Sequence, residues 1–185
     1  MTRFTKANAL SLLAAAVVGW AAVSPALAGP NLVNGGFENG PGFPGWTQFG
    51  NFVNDFRECN QPTHVTEGAC AGWFGPDNSL TGGILQSIDL KVGSYIIQFD
   101  VSYFDGSAPP NSFSAMFDTQ TLYAETDKSA GGFTHYSFMV VSASMHSADL
   151  VFTFQNNPSF VILDAVSVQA VPEPLILAAF RSQLH

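Results

Sequence analysis

The stretch Ser94-Tyr95-Ile96-Ile97-Gln98-Phe99-Asp100-Val101-Ser102-Tyr103-Phe104 alternates. Tyr95, Ile97, Phe99, Val101 and Tyr103 fall on one face of an extended chain, and Gln98, Asp100 and Ser102 on the other. Side chains change face at every residue of a strand, so the pattern predicts a long antiparallel strand with one buried and one wet face. The same period recurs on either side. Leu150, Phe152 and Phe154 alternate with Val151, Thr153 and Gln155, and Phe113, Ala115 and Phe117 alternate with Ser112, Ser114 and Met116. Phe160, Ile162, Val166 and Val168 read as one face of a last strand, whereas Phe133 to Val141 is rich in β-formers with a blurred alternation. Turn clusters separate these runs, among them Asn34-Gly35-Gly36, Thr81-Gly82-Gly83, Asp105-Gly106-Ser107 and Asn156-Asn157-Pro158. No segment after the N-terminal stretch carries a helical period. The prediction is an all-β domain of two facing antiparallel sheets, with its many phenylalanines as core material.

The N-terminus predicts export. Arg3 and Lys6 precede an apolar run from Ala9 to Val23, and Ala26 and Ala28 supply the small residues of a cleavage site before Gly29. Residues 1–28 thus read as a cleavable helical signal peptide, and the protein is expected in the periplasm, at the cell surface or outside the cell. The chain holds 14 acidic side chains against 6 Lys and Arg, with no basic cluster, which argues against a nucleic-acid partner. Cys59 and Cys70 are the only cysteines. In an oxidising compartment they are expected to pair, closing a short loop and stabilising it by about 3 kcal/mol.

Three segments carry a resemblance. They are Asn31-Leu32-Val33-Asn34-Gly35-Gly36-Phe37-Glu38 with Gly45-Trp46-Thr47; Leu85-Gln86-Ser87-Ile88-Asp89-Leu90 leading into Gly93 to Val101; and Val161-Ile162-Leu163-Asp164-Ala165-Val166-Ser167-Val168. Their order resembles the galactose-binding-like jelly roll of carbohydrate-binding modules. That likeness implies a jelly-roll sandwich over residues 29–170, with the first and last strands side by side. Val171-Pro172-Glu173-Pro174 is similar to the start of a PEP-CTERM sorting tail, which implies exosortase as a processing partner for residues 171–185. The apolar run that follows, Leu175 to Phe180, is short. Six helical residues rise about 9 Å against a hydrocarbon core of about 30 Å, so this tail does not span a bilayer, which favours release.

The resemblance also implies a structural Ca²⁺ near Glu38 and Asp164. By alternation Asp164 shares a face with Ile162, Val166 and Val168, and an inward carboxylate needs a cation or hydrogen-bond donors. The competing reading has Asp164 accepting backbone N–H groups while Glu38 is exposed. Sugar binding in such modules uses ring faces and polar side chains. Trp73, Tyr103, Phe104 and Tyr123, with Gln98 and Asp100 on the wet face, are the candidates, and Trp46 reads as a core plug. The loop from Phe52 to Cys70 reads either as a wall of that site or as plain surface.

No Gly-x-Ser-x-Gly, HExxH, Walker or GxGxxG motif occurs, and His64, His135 and His146 have no evident nucleophile partner. The expectation is a non-catalytic exported protein binding carbohydrate, with exopolysaccharide as the candidate ligand. The rivals are a structural or adhesive matrix component without a sugar pocket, and a small glycan-active hydrolase.

Overall fold

The computed structural model describes residues 30–76, 80–156 and 158–172. The expected signal peptide and nearly all of the expected sorting tail lie outside the described residues. Ten strands form: β1 (Thr47–Gly50), β2 (Phe56–Cys59), β3 (Cys70–Phe74), β4 (Gly82–Leu90), β5 (Gly93–Tyr103), β6 (Asn111–Phe117), β7 (Gln120–Thr126), β8 (Gly131–Ser142), β9 (His146–Asn156) and β10 (Val161–Val171). They make two five-stranded antiparallel sheets. Sheet I has the order β1-β4-β9-β6-β7 and sheet II the order β2-β3-β10-β5-β8. The chain changes sheet at most connections, and the result is the two-sheet sandwich that the alternation predicts, in the jelly-roll form that the resemblance implies.

The inner faces supply the core. Ile97, Phe99 and Val101 from β5 meet Leu150, Phe152 and Phe154 from β9 and Phe113 and Ala115 from β6, all at most 2% exposed. Phe74 of sheet II stacks on Phe154 of sheet I at 4.1 Å, and Phe99 meets Phe152 edge-on at 5.2 Å. Each such ring removed from water contributes about 1.5–3 kcal/mol. Trp46 is the core plug the sequence predicts: it is buried, and its Nε1 donates to the Asn34 carbonyl at 3.0 Å.

The first segment docks on the last strand through main chain. Val166 N donates to the Gly35 carbonyl at 3.1 Å. A Cβ on Gly35 would lie 1.9 Å from the Val166 oxygen, so only glycine permits this approach.

One sequence expectation fails here for a specific reason. β10 pairs Asp164 with Asp100, then shifts register between Asp164 and Ser167, with Ala165 at φ 51°. The extra residue of this bulge reverses the alternation. Val166 and Val168 point into the sandwich, whereas Ile162 packs with Trp73 and Phe160 on the outside of sheet II. Asp164 therefore shares its face with Ile162 and not with the two valines.

Candidate functional site on the outer face of sheet II

Cross-strand register lays out the outer face of sheet II in rows. Trp73, Ile162 and Ser102 are neighbours across β3, β10 and β5. Asp164, Asp100 and His135 are neighbours across β10, β5 and β8, followed by Ser167, Gln98 and Ser137. Gln169, Ile96 and Met139, then Val171, Ser94 and Val141, complete the face. It thus runs from an aromatic end through a hydrogen-bonding middle to an aliphatic end, where Met139 and Val141 are 71% and 73% exposed.

The aromatic end is a small second core. Trp73 is 3% exposed. Phe104 lies 4.7 Å from its ring centre, His64 5.1 Å, Phe56 5.5 Å and Phe160 5.6 Å. The expectation that Trp73 presents a ring face to a ligand is therefore corrected: its neighbours cover it, and Phe104, partly exposed, is the expected aromatic that remains within reach. The Trp73 Nε1 is buried without a hydrogen-bond partner.

The segment between β2 and β3 folds over this end and is tied down at several points. The disulfide Cys59–Cys70 joins directly paired positions. His64 Nδ1 lies 2.7 Å from Glu58 Oε2. Asp164 Oδ2 accepts from Thr66 N at 2.6 Å, Thr66 Oγ1 at 3.2 Å and Glu67 N at 3.0 Å, and its Oδ1 accepts from Ala165 N at 2.7 Å. Glu38 Oε1 accepts from Ala69 N at 2.8 Å and Cys70 N at 2.9 Å. Gly68, at φ +62°, lets that carboxylate in, since a Cβ there would sit 2.2 Å from Glu38 Oε1. Burial pushes the Asp164 carboxyl up and the N–H donors pull it back, with burial prevailing.

These contacts bear on the implied calcium. The ion takes six to eight oxygen ligands, yet N–H and O–H donors face both carboxylates. Among the described residues no three His, Cys, Asp or Glu side chains converge on one point. As arranged, Glu38 and Asp164 fit the role of loop anchors and do not form a cation cage. Glu38 itself stays exposed.

The middle of the face holds a polar group that the sequence reading gave only in part. Asp100 Oδ1 lies 2.6 Å from His135 Nδ1, and Gln98 Nε2 lies 3.3 Å from His135 Nε2. The carboxylate places the imidazole proton on Nδ1, leaving Nε2 to accept from the amide. His135 is the exposed member, with its side chain 58% accessible against 13% for Asp100. Gln98 and Asp100 thus sit where alternation puts them. His135 was missed because its partner lies 35 positions away, and only the β5–β8 register joins them.

Tyr103 and Tyr123, the other two expected ligand contacts, belong elsewhere. Tyr103 points into the sandwich at 7% exposure and donates to Glu125 Oε1 at 2.9 Å. Tyr123 donates to Glu125 Oε2 at 2.8 Å and accepts from Tyr136 at 3.1 Å. Lys128 Nζ completes the group at 2.9 Å from Glu125 Oε2. Burial, then Glu125 for Tyr103 and Tyr136 for Tyr123, push both phenols up, so they remain donors. The cluster clasps the edge strands β7 and β8 together, which alternation along a single strand cannot show.

The polar middle of this face offers hydrogen bonds. His135 Nε2 faces the Gln98 side-chain amide and not a hydroxyl. Asp100 and Glu58 each face a histidine, and Asp164, beside Asp100, is 0% exposed and cannot meet a substrate. A paired-carboxylate glycosidase arrangement is therefore not formed on this face. Two cavities lie away from it. One of about 110 Å³ is lined by Leu90, Phe117, Val140 and His146, and an open apolar trough of about 500 Å³ is lined by Phe52, Val53 and Leu80.

No protein-family model and no curated protein matches the chain. Solved structures do. A family 61 carbohydrate-binding module in complex with β-1,4-galactotriose superposes with a TM-score of 0.61 at 15% identity, covering 77% of this chain and 99% of that one. The K1 cleaved adhesin domain of Lys-gingipain from Porphyromonas gingivalis gives 0.57 at 11% identity, covering 74% and 96%. The C-terminal family 22 carbohydrate binding module of Clostridium thermocellum Xyn10B gives 0.51 at 12% identity, covering 70% and 89%. At these identities the likeness concerns the fold.

Proposed function

We propose that this chain is an exported, non-catalytic protein that holds a glycan against the outer face of sheet II. The observation that carries the reading is the composition of that face. Gln98, Asp100 and His135 present donors and acceptors in register, beside Phe104 and Phe56, which expose part of their rings next to the buried Trp73. Sugar rings ask for this mixture: hydroxyls for the polar row and C–H faces for the aromatics. The fold shared with modules crystallised on or studied for carbohydrate ligands supports the reading. So do the paired cysteines, which suit export. The anchored loop supports it too, because a wall fixed by a disulfide and two carboxylates is organised before binding.

The partner proposed is an extracellular polysaccharide, with the cell's own exopolysaccharide as the first to test. Affinity gel electrophoresis of the full chain against a panel of polysaccharides tests this. Retardation by at least one polysaccharide, reduced in His135→Ala and Gln98→Ala variants that melt like the parent, is expected. Retardation that survives both substitutions would move the site off this face. Absence of retardation across the panel would favour a purely structural matrix role.

A further inference from the structure

Resting on the glycan-binding reading, the charge layout narrows the ligand class. The outer face of sheet II carries Glu58, Asp100 and Asp164, and no strand of sheet II places a Lys or Arg on that face. The cations of the described residues are engaged or elsewhere. Arg57 Nη1 donates to the Phe37 carbonyl at 3.1 Å and the Glu38 carbonyl at 2.9 Å. Lys128 pairs with Glu125 at the β7 edge. Lys91 lies in the turn between β4 and β5, off the face. The two histidines of this face supply no cation in excess of its carboxylates. His135 and His64 each sit on their own carboxylate, so protonating either leaves a neutral pair and not a free positive charge. The whole chain adds to the local effect with a formal net charge of −8.

We infer that the site selects uncharged glycans and rejects those bearing uronate, sulfate or phosphate groups. A ligand carboxylate laid along the polar row would meet Asp100 with no guanidinium or ammonium to receive it, and like charges brought together across an interface are strongly unfavourable. Ring hydroxyls meet no such obstacle. Asp100 accepts from them, Gln98 donates and accepts, and His135 Nε2 accepts where a hydroxyl takes the place of the Gln98 amide. The polysaccharide chosen is thus set by what the face lacks as much as by what it offers.

The test uses a single backbone in two charge states. Any neutral polysaccharide that retards the full chain is partly carboxymethylated, and the two forms are compared by affinity electrophoresis and calorimetric titration at low and at physiological salt. Affinity for the anionic form is expected to fall at least about tenfold at low salt and to recover partly as salt screens the repulsion. The neutral form is expected to bind alike at both salts. Asp100→Asn is expected to narrow the ratio between the two forms, whatever it does to the absolute affinity. Equal or tighter binding of the carboxymethylated form, or binding that weakens with salt, overturns the inference while leaving glycan binding intact. Failure of every polysaccharide in both forms overturns the glycan reading itself, and the inference with it.

Discussion

The outer faces of the two sheets are built by the same alternation and end up unlike one another. On sheet I, Ser87 and Asp149 face each other across β4 and β9, Ser114 faces Thr153 across β6 and β9, and Met116 faces Val151. These rows hold mostly short polar and aliphatic side chains, with a single ring, Phe49, laid over Gly83 at the β1 end of the Ser114–Thr153 row. On sheet II the corresponding surface has a bulge, a bridged loop laid over it and a ring cluster around Trp73. A sandwich needs only its inner faces to fold, and the rings and anchored loop on this outer face form a second, smaller core beside them.

The largest separation between the two faces is expected in stability. Trp73→Ala empties the second cluster and is expected to cost about 3–5 kcal/mol, whereas Thr153→Ala on sheet I is expected to cost about 1 kcal/mol or less. Urea unfolding of both variants measures the gap, and similar midpoints would show that the Trp73 cluster is no core. Replacing Cys59 and Cys70 by serine is expected to lose about 2–3 kcal/mol. Hydrogen exchange should show the loosening at Thr66 and Glu67 and leave β4 and β9 protected. A smaller effect is expected in binding. His135→Ala or Gln98→Ala should weaken a retained glycan about tenfold, the value of one good hydrogen bond. Ser87→Ala on sheet I should leave affinity alone, and a loss there would erase the distinction between the faces.

A pH effect belongs to the rim of sheet II. Asp55 precedes β2, and burial pushes its carboxyl from 3.8 up to about 6, against the pull of the Gly75 N–H at 3.1 Å. The folded chain therefore holds this proton more tightly than the unfolded chain. Its contribution to stability is most favourable below about pH 4, declines as pH rises to about 6, and is level above that. Asp55→Asn keeps an oxygen for Gly75 and is expected to melt above the parent at neutral pH, by about 1 kcal/mol after solvent screening. That advantage should vanish at about pH 4, and an advantage independent of pH would assign the gain to something other than charge. The smallest effect is expected from calcium. Glu38 and Asp164 are already met by N–H donors, so chelator followed by excess Ca²⁺ should leave the melting temperature unmoved, and a rise would mean that the loop rearranges to admit an ion.

Much of the sandwich was legible in the chain, and the reason differs from strand to strand. β5, β6 and β9 are flanked by other strands, with one face in the core, so their burial imposes a clean period of two. β8 is an edge strand whose inward Tyr136 and Phe138 are only half buried, which blurs its pattern. β1, β2 and β7 are edge strands too and carry too little apolar contrast to announce themselves. Of the candidate site, Gln98, Asp100 and Phe104 followed from alternation. Tyr103 was misassigned although its own period had already placed it in the core. Trp73 hid its burial because its cover, Phe56, His64, Phe104 and Phe160, comes from four separate parts of the chain.

The sequence by itself determined the all-β class, the inner-face residues of the central strands and the cysteine pairing, because each depends on local periodicity or on there being a single pair to form. The tertiary structure alone decided which way Asp164 faces, that His135 meets Asp100, and that Trp73 is covered. Those outcomes depend on a bulge that resets alternation and on register between strands far apart in the chain, and neither leaves a periodic trace along it.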